Sequence, residues 1–205
     1  MDTNNEYKIF TVGHSNHTID YFVDLIQTFK INCIVDVRSV PASSYNPQYN
    51  KENLQNFLKN NNIIYLHFGE EFGARHTEKE LLDEYGKVDF DKVRKTPKFL
   101  QGVERLKKGI DKGYNLSLMC SEAEPFDCHR FSMISYYLAR NGFNVNHILK
   151  DKTYISNEML EKRLLKKYEK QIPQNSIFEK ITGIQQINLA YRLRNKEVAY
   201  DTMNI

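Results

Sequence analysis

Cys120 and Cys128 bracket a short acidic loop, Ser121-Glu122-Ala123-Glu124-Pro125-Phe126-Asp127, and His129 and Arg130 follow at once. Those residue types in that order point to thiol or carboxylate chemistry. Asp127 reads as a helix N-cap, which puts Cys128, His129 and Arg130 in the first helical turn. A thiol there meets free N–H groups and the positive end of the helix dipole, and both favour the thiolate, the form that attacks. Cys120 stands at a strand mouth, a natural place for a nucleophile. Glu122, in a partly closed pocket, would hold a raised pKa and serve as acid, base or nucleophile. The bland alternative is that both cysteines are small packing residues.

Two related chemistries fit less well. Nine residues separate Cys120 from Arg130, whereas the phosphate-cradling loops of thiol phosphatases are far shorter. Glu122, Glu124 and Asp127 would also repel an oxyanion there, which argues against a phosphatase. Cys120, Cys128, His129, His14 and Asp36 include metal-ligand types. Yet no C-x-x-C or H-x-x-x-H spacing occurs, and adjacent Cys128 and His129 make an awkward pair for one ion. The spacing predicts no metal site and names no cofactor.

The elements that position these residues follow from apolar periodicity. Lys8 to Val12, Cys33 to Val37, Ile63 to His67, Leu116 to Met119 and Val145 to Ile148 are short apolar runs that read as strands. Between them lie helical patterns. Thr18 caps the first, Lys51 to Lys59 forms the second, Thr96-Pro97 opens the third, and Asp127 opens the fourth, which Asn141-Gly142 closes. Thr77 to Lys95 is charged and weakly periodic, an inserted surface segment with one short helix. Strand–helix alternation predicts a three-layer α/β sandwich on a five-stranded, mainly parallel sheet over residues 1–150. Residues 151–205 form a helical extension, with Leu160, Leu164 and Tyr168 on one face of a helix over 157–170. That face must pack on the body or on a second subunit. Ile177, Phe178, Ile181 and Ile184 continue at helical spacing.

Ligands of open parallel sheets bind beyond the carboxyl ends of the strands. Here those ends carry Gly13-His14-Ser15, then Asp36-Val37-Arg38, then His67 followed by Glu70, Glu71 and Arg75, and finally the Cys120–Arg130 segment. Convergence of four polar strand ends predicts one pocket. Cys120, Glu122, Cys128, His14 and Asp36 are its candidate catalytic residues. Ser15, Arg38, Arg75, His129 and Arg130 are its candidate substrate ligands, because arginines grip phosphate or carboxylate bidentately. The competing reading is an Asp36–Arg38–Arg130 ion-pair network that merely ties strand ends together.

TVGHSN, VDVRSVPASSYNPQYNK and LMCSEAEPFDCHR together resemble the bacterial and archaeal family catalogued as number 488 among domains of unknown function, over about residues 8–150. EFGARH resembles that family's glycine-arginine stretch after the third strand. The resemblance implies a shared fold and site, and no established reaction.

Composition narrows the function further. Of 205 residues, 40% are hydrophobic, enough for a core. No apolar run reaches the roughly 20 residues of a membrane helix, and MDTNNEYKIF lacks the order of a secretory signal. Three cysteines, Cys33, Cys120 and Cys128, form no disulfide framework, which predicts a reducing cytoplasm. Residues 1–150 carry 19 basic and 19 acidic side chains and residues 151–205 carry 10 and 7, so the net +3 belongs to the tail. A strong non-specific nucleic-acid binder would show a basic stripe. The reading is therefore an enzyme acting on an anionic substrate, a nucleotide or nucleic-acid component. A non-catalytic nucleic-acid or nucleotide-binding module using Arg38, Arg75, Arg130 and the basic tail is the rival.

Overall fold

The computed structural model describes residues 7–174 and 181–203. Five apolar runs become strands: β1 (Tyr7–Gly13), β2 (Cys33–Asp36), β3 (Ile64–His67), β4 (Leu116–Cys120) and β5 (Phe143–Ile148). They lie parallel in the order β3-β2-β4-β1-β5. The central strands β2 and β4 are buried along their whole length, which is why their sequences are apolar without alternation. A sixth strand, β6 (Tyr154–Ser156), adds antiparallel to the β5 edge. The five-strand expectation missed it because three residues headed by an exposed Tyr154 offer no apolar run.

Chain direction sorts the helices into two layers. From β1 the chain steps outward to β2 and β3 through α1 (Ile19–Thr28) and α2 (Lys51–Asn60), whose Phe22, Ile26, Leu54 and Leu58 pack on one sheet face. Its return to β4 and β5 uses α3 (Pro97–Asp111) and α4 (Arg130–Ser135 continued by Tyr136–Ala139), with Phe99, Val103, Ile134 and Leu138 on the other face. The predicted caps hold at two starts, where Thr18 Oγ1 accepts from the Tyr21 N–H and Thr96 Oγ1 from the Phe99 N–H.

The segment 77–95 is more than surface. Val88, Phe90 and Val93 insert into the α3/α4 core, anchored by two short helices, Lys79–Leu81 and Phe90–Val93. α4 is unusual as well. Arg130–Ser135 is π-helical and runs directly into an α-helical turn, Tyr136–Ala139. Ser135 Oγ donates to the Arg130 carbonyl at 2.7 Å, which satisfies an acceptor in the widened turn.

The extension packs on the body. α5 (Asn157–Lys167) and α6 (Gly183–Val198) share a cluster with Phe126 and Phe131, in which Leu160, Leu164 and Tyr168 are buried. α6 begins at a capping box of Thr182 and Gln185. Ile177 and Phe178 lie outside the described residues, and Ile184 faces solvent. Ile187, Ala190 and Tyr191 carry the contact instead.

Candidate functional site

The sheet register brings the polar strand ends to one level. Gly13 pairs with Cys120, and Asp36 pairs with Met119 on one side and His67 on the other. The connections of β2 and β4 leave toward opposite faces, so a crevice opens between their carboxyl ends. A cavity of about 220 Å³ occupies it, lined among others by Arg38, Arg75, Cys120, Glu122, Cys128 and His129. A larger groove of about 600 Å³ runs along Asp91, Lys92 and Arg192. Arg192 is ion-paired to Asp91 there, and no thiol or imidazole faces it.

The loop from Ser121 to Asp127 folds back over β1, and three devices hold it. The His14 and Ser15 N–H groups donate to the carbonyls of Cys120 and Ser121 at 3.0 and 2.8 Å. A β-carbon on Gly13 would lie 1.8 Å from the Glu122 carbonyl oxygen, so only glycine lets the loop approach this closely. Arg130, fully buried, donates to the carbonyls of Glu122 and Ala123 at 2.5 and 3.0 Å. Arg130 is thus a clamp inside the loop, and its guanidinium does not line the cavity.

Asp127 is not the N-cap that the sequence implied. Pro125 opens a 3₁₀ turn, Pro125–Asp127, and the Asp127 carboxylate pairs with Arg194 of α6. Cys128 takes the capping role itself. Its backbone is extended (φ −127°, ψ 146°), its carbonyl accepts from the Phe131 and Ser132 N–H groups, and its Sγ accepts from the Arg130 N–H at 3.4 Å.

This geometry gathers four side chains. Glu122 Oε2 lies 3.0 Å from Cys120 Sγ and 3.1 Å from Cys128 Sγ. His129 Nδ1 lies 3.7 and 3.8 Å from the same sulfurs. Burial opposes ionisation of Cys128. Hydrogen bonding from the Cys120 thiol, with Arg130 and His129 nearby, outweighs burial and holds its pKa well below that of a free thiol. Cys120 moves the other way, kept protonated by its bond to Cys128 and by burial. Burial, then the Cys128 charge, raises Glu122. Burial also opposes the His129 imidazolium, but the Cys128 charge prevails and raises its pKa. Cys128 is therefore the sulfur that ionises first.

The remaining candidates form a second network that abuts the first through Arg38. Arg38 donates from Nε and Nη2 to the two Asp36 carboxylate oxygens at 2.9 and 2.6 Å, and to the Tyr49 carbonyl at 2.8 Å. Its Nη1 meets His14 Nε2 at 3.2 Å. Tyr65 Oη donates to Asp36 at 2.8 Å, and His14 stacks on Tyr49 at 4.0 Å. Burial, then Arg38, pushes His14 down to about 4, so the ring is neutral and accepts from Arg38. The ion-pair reading of Asp36 and Arg38 thus holds without Arg130. His14, Ser15 and Asp36 do not line the cavity. Arg75 does. Its side chain lies over the Tyr200 ring at 5.5 Å and forms no ion pair among the described residues.

Sequence reasoning missed Tyr49, Tyr65 and Tyr200. Ser39 Oγ accepts from the Arg75 N–H at 3.0 Å, and Tyr200 closes the cavity from the far end of the chain. Tyr49 sits in a proline-punctuated loop with no periodicity to mark it as buried.

A family model described as "Domain of unknown function DUF488" matches residues 18–138. No curated protein and no solved structure matches the chain.

Proposed function

The chain belongs to the family described as Domain of unknown function DUF488, and from that premise we propose that it is an enzyme acting on a small anionic substrate at the crevice between β2 and β4. The carrying observation is that Cys120, Glu122, Cys128 and His129 converge on one cavity also lined by Arg75, which forms no ion pair among the described residues. A cavity of about 220 Å³ fits the phosphate- or carboxylate-bearing end of a molecule, such as a nucleotide or nucleic-acid component. Arg75 grips the anion, and the sulfur and carboxylate groups of the cluster act on the atom beside it. Arg38 keeps Asp36 and His14 fixed behind the cavity wall.

The rival binding module draws less support. Arg130 is fully buried and Arg38 nearly so, each bonded to protein acceptors. In the tail, Lys162, Arg163, Lys167, Arg192 and Arg194 are paired with carboxylates, which lowers the net positive charge they present. Among the described residues no helix is long and apolar enough to cross a membrane. All three cysteines are free, and a site built on reduced sulfur fits the cytoplasm.

Alkylation tests the reading. Reduced, metal-free protein is treated with iodoacetamide and Cys128 is followed by peptide mass spectrometry, with buried Cys33 as the internal reference. Inorganic phosphate is expected to slow labelling of Cys128 in the wild type and to have no effect in Arg75→Ala. Equal rates with and without phosphate in the wild type would refute an anion site at the cluster.

A further inference from the structure

Cys120 Sγ, Cys128 Sγ and His129 Nδ1 all lie within 4.8 Å of one another, and all three residues are buried. We infer that these three side chains bind one thiophilic divalent cation, zinc by preference, in a site whose fourth position opens to the Arg75 cavity and is attended by Glu122.

The distances suit such an ion. Zinc–sulfur bonds of about 2.3 Å and zinc–nitrogen bonds of about 2.0–2.1 Å give a tetrahedral sulfur–nitrogen edge of about 3.5 Å. The two observed sulfur–nitrogen edges are 3.7 and 3.8 Å, close to that value, and the two sulfurs lie within 4.8 Å of each other. Two sulfurs and an imidazole select zinc-like cations over magnesium or calcium, which demand oxygen. Three protein ligands with one open position is the pattern of a catalytic zinc, whereas structural sites are closed by four.

Sequence spacing argued against a metal because Cys128 and His129 are neighbours. The extended backbone at Cys128 removes that objection. It turns the sulfur back onto the Arg130 N–H while His129, already helical (φ −60°), directs Nδ1 at both sulfurs. Arg130 and Gly13 then fix the loop that carries Glu122 to the same place.

Glu122 reaches both sulfurs and lines the same cavity. A water bound at the fourth position gives its proton to the Glu122 carboxylate, and the hydroxide left on the ion adds to the electrophilic atom beside the anion held by Arg75. The bond to the leaving group breaks, and that group takes the proton back from Glu122, for net hydrolysis. This role in turnover rests on the functional reading above and recasts the thiols as ligands. Metal binding itself does not depend on that reading.

Cobalt(II) is the probe. Full-length protein, reduced and stripped with a chelator, is titrated with cobalt. Expected are one ion per chain, a thiolate-to-cobalt charge-transfer band in the near ultraviolet, and the intense visible bands of a four-coordinate ion, all displaced by zinc. Cys120→Ser and Cys128→Ser should each weaken the charge-transfer band, and Cys33→Ser should leave it unchanged. Glu122→Gln should keep the band and lower affinity about 10–100-fold, as loss of an outer-shell partner does. Should a serine variant fail to fold, the wild type still decides, because zinc must raise its thermal midpoint. No cobalt band together with an unmoved midpoint overturns the inference, as does a band that survives both serine substitutions. Cobalt binding without phosphate protection of Cys128 would spare this site and remove the functional reading; protection without cobalt binding would do the reverse.

Discussion

Gly13→Ala is the smallest change that should dismantle the site, and its size can be worked out in advance. The added methyl would lie 1.8 Å from the Glu122 carbonyl oxygen, 2.6 Å from its carbon and 2.9 Å from Ala123 Cα. All three atoms are backbone, so no rotamer change relieves the clash. To restore ordinary contact the loop must retreat by more than an ångström. That movement pulls the Glu122 and Ala123 carbonyls off Arg130, which are charge-assisted bonds of about 1.5–3 kcal/mol each. Losing both costs about 3–6 kcal/mol, a large part of a typical domain's stability of about 5–15 kcal/mol. Urea unfolding followed by circular dichroism gives the loss directly, and iodoacetamide labelling should show Cys128 exposed as the loop lifts. Gly183→Ala is the control: it sits in the first turn of α6 with no atom within 4 Å of the new methyl. There alanine should be neutral or stabilise by about 0.4–1 kcal/mol. A Gly13→Ala protein within about 0.5 kcal/mol of wild type, with Cys128 still shielded, would show that the close approach does not hold the loop.

Acid should destabilise the fold through His147, whose ring is buried between Thr11 and Asn157. Burial, then Arg130, pushes it down to about 3, so between that value and about 6.5 the unfolded chain binds a proton that the folded one does not. Stability therefore rises with pH across that window and levels off above it. Relative to His147→Gln, wild type should lose about 3 kcal/mol from pH 7 to pH 4 at about 1.4 kcal/mol per unit, and parallel urea-midpoint profiles for the two proteins would refute this. Leu164→Ala, in the cluster between α5, α6 and Phe131, should cost about 2–5 kcal/mol; an unchanged thermal midpoint would mean that the extension contributes no burial. Arg194→Met should cost about 2 kcal/mol, discounted because Asp127 and Glu197 are solvent-accessible, and should speed Cys128 labelling by freeing Asp127; an unaltered labelling rate would uncouple α6 from the cysteine loop.

The strands were legible because β2 and β4 are buried on both faces and leave a continuous apolar signature. Helix starts at Thr18 and Thr96 were legible because their capping bonds are local. The placement of polar residues at strand ends was legible for the same reason: each follows a strand found independently. What is settled by distant partners was not. Asp127 looks like a cap by local chemistry, but Arg194, far along the chain, takes its carboxylate. Arg130 has the profile of an anion ligand, yet two carbonyls of its own loop claim it. The meeting of Cys120, Cys128 and His129 depends on a loop returned over Gly13, which no spacing rule encodes.

Arg194 also sets an order of events during synthesis. It donates to the Phe126 carbonyl at 3.0 Å and holds Asp127, while Tyr200, just beyond it, closes the cavity. All strands of the sheet precede these residues, so a chain emerging from the ribosome can assemble the six strands while its cysteine loop still lacks one wall and one tether. Chain order thus allows folding of the sheet and completion of the cavity to be separate steps in time. Until α6 docks, Cys120 and Cys128 lack the wall that Val198 and Tyr200 supply, so oxidants or stray metal ions would find them more readily in that interval.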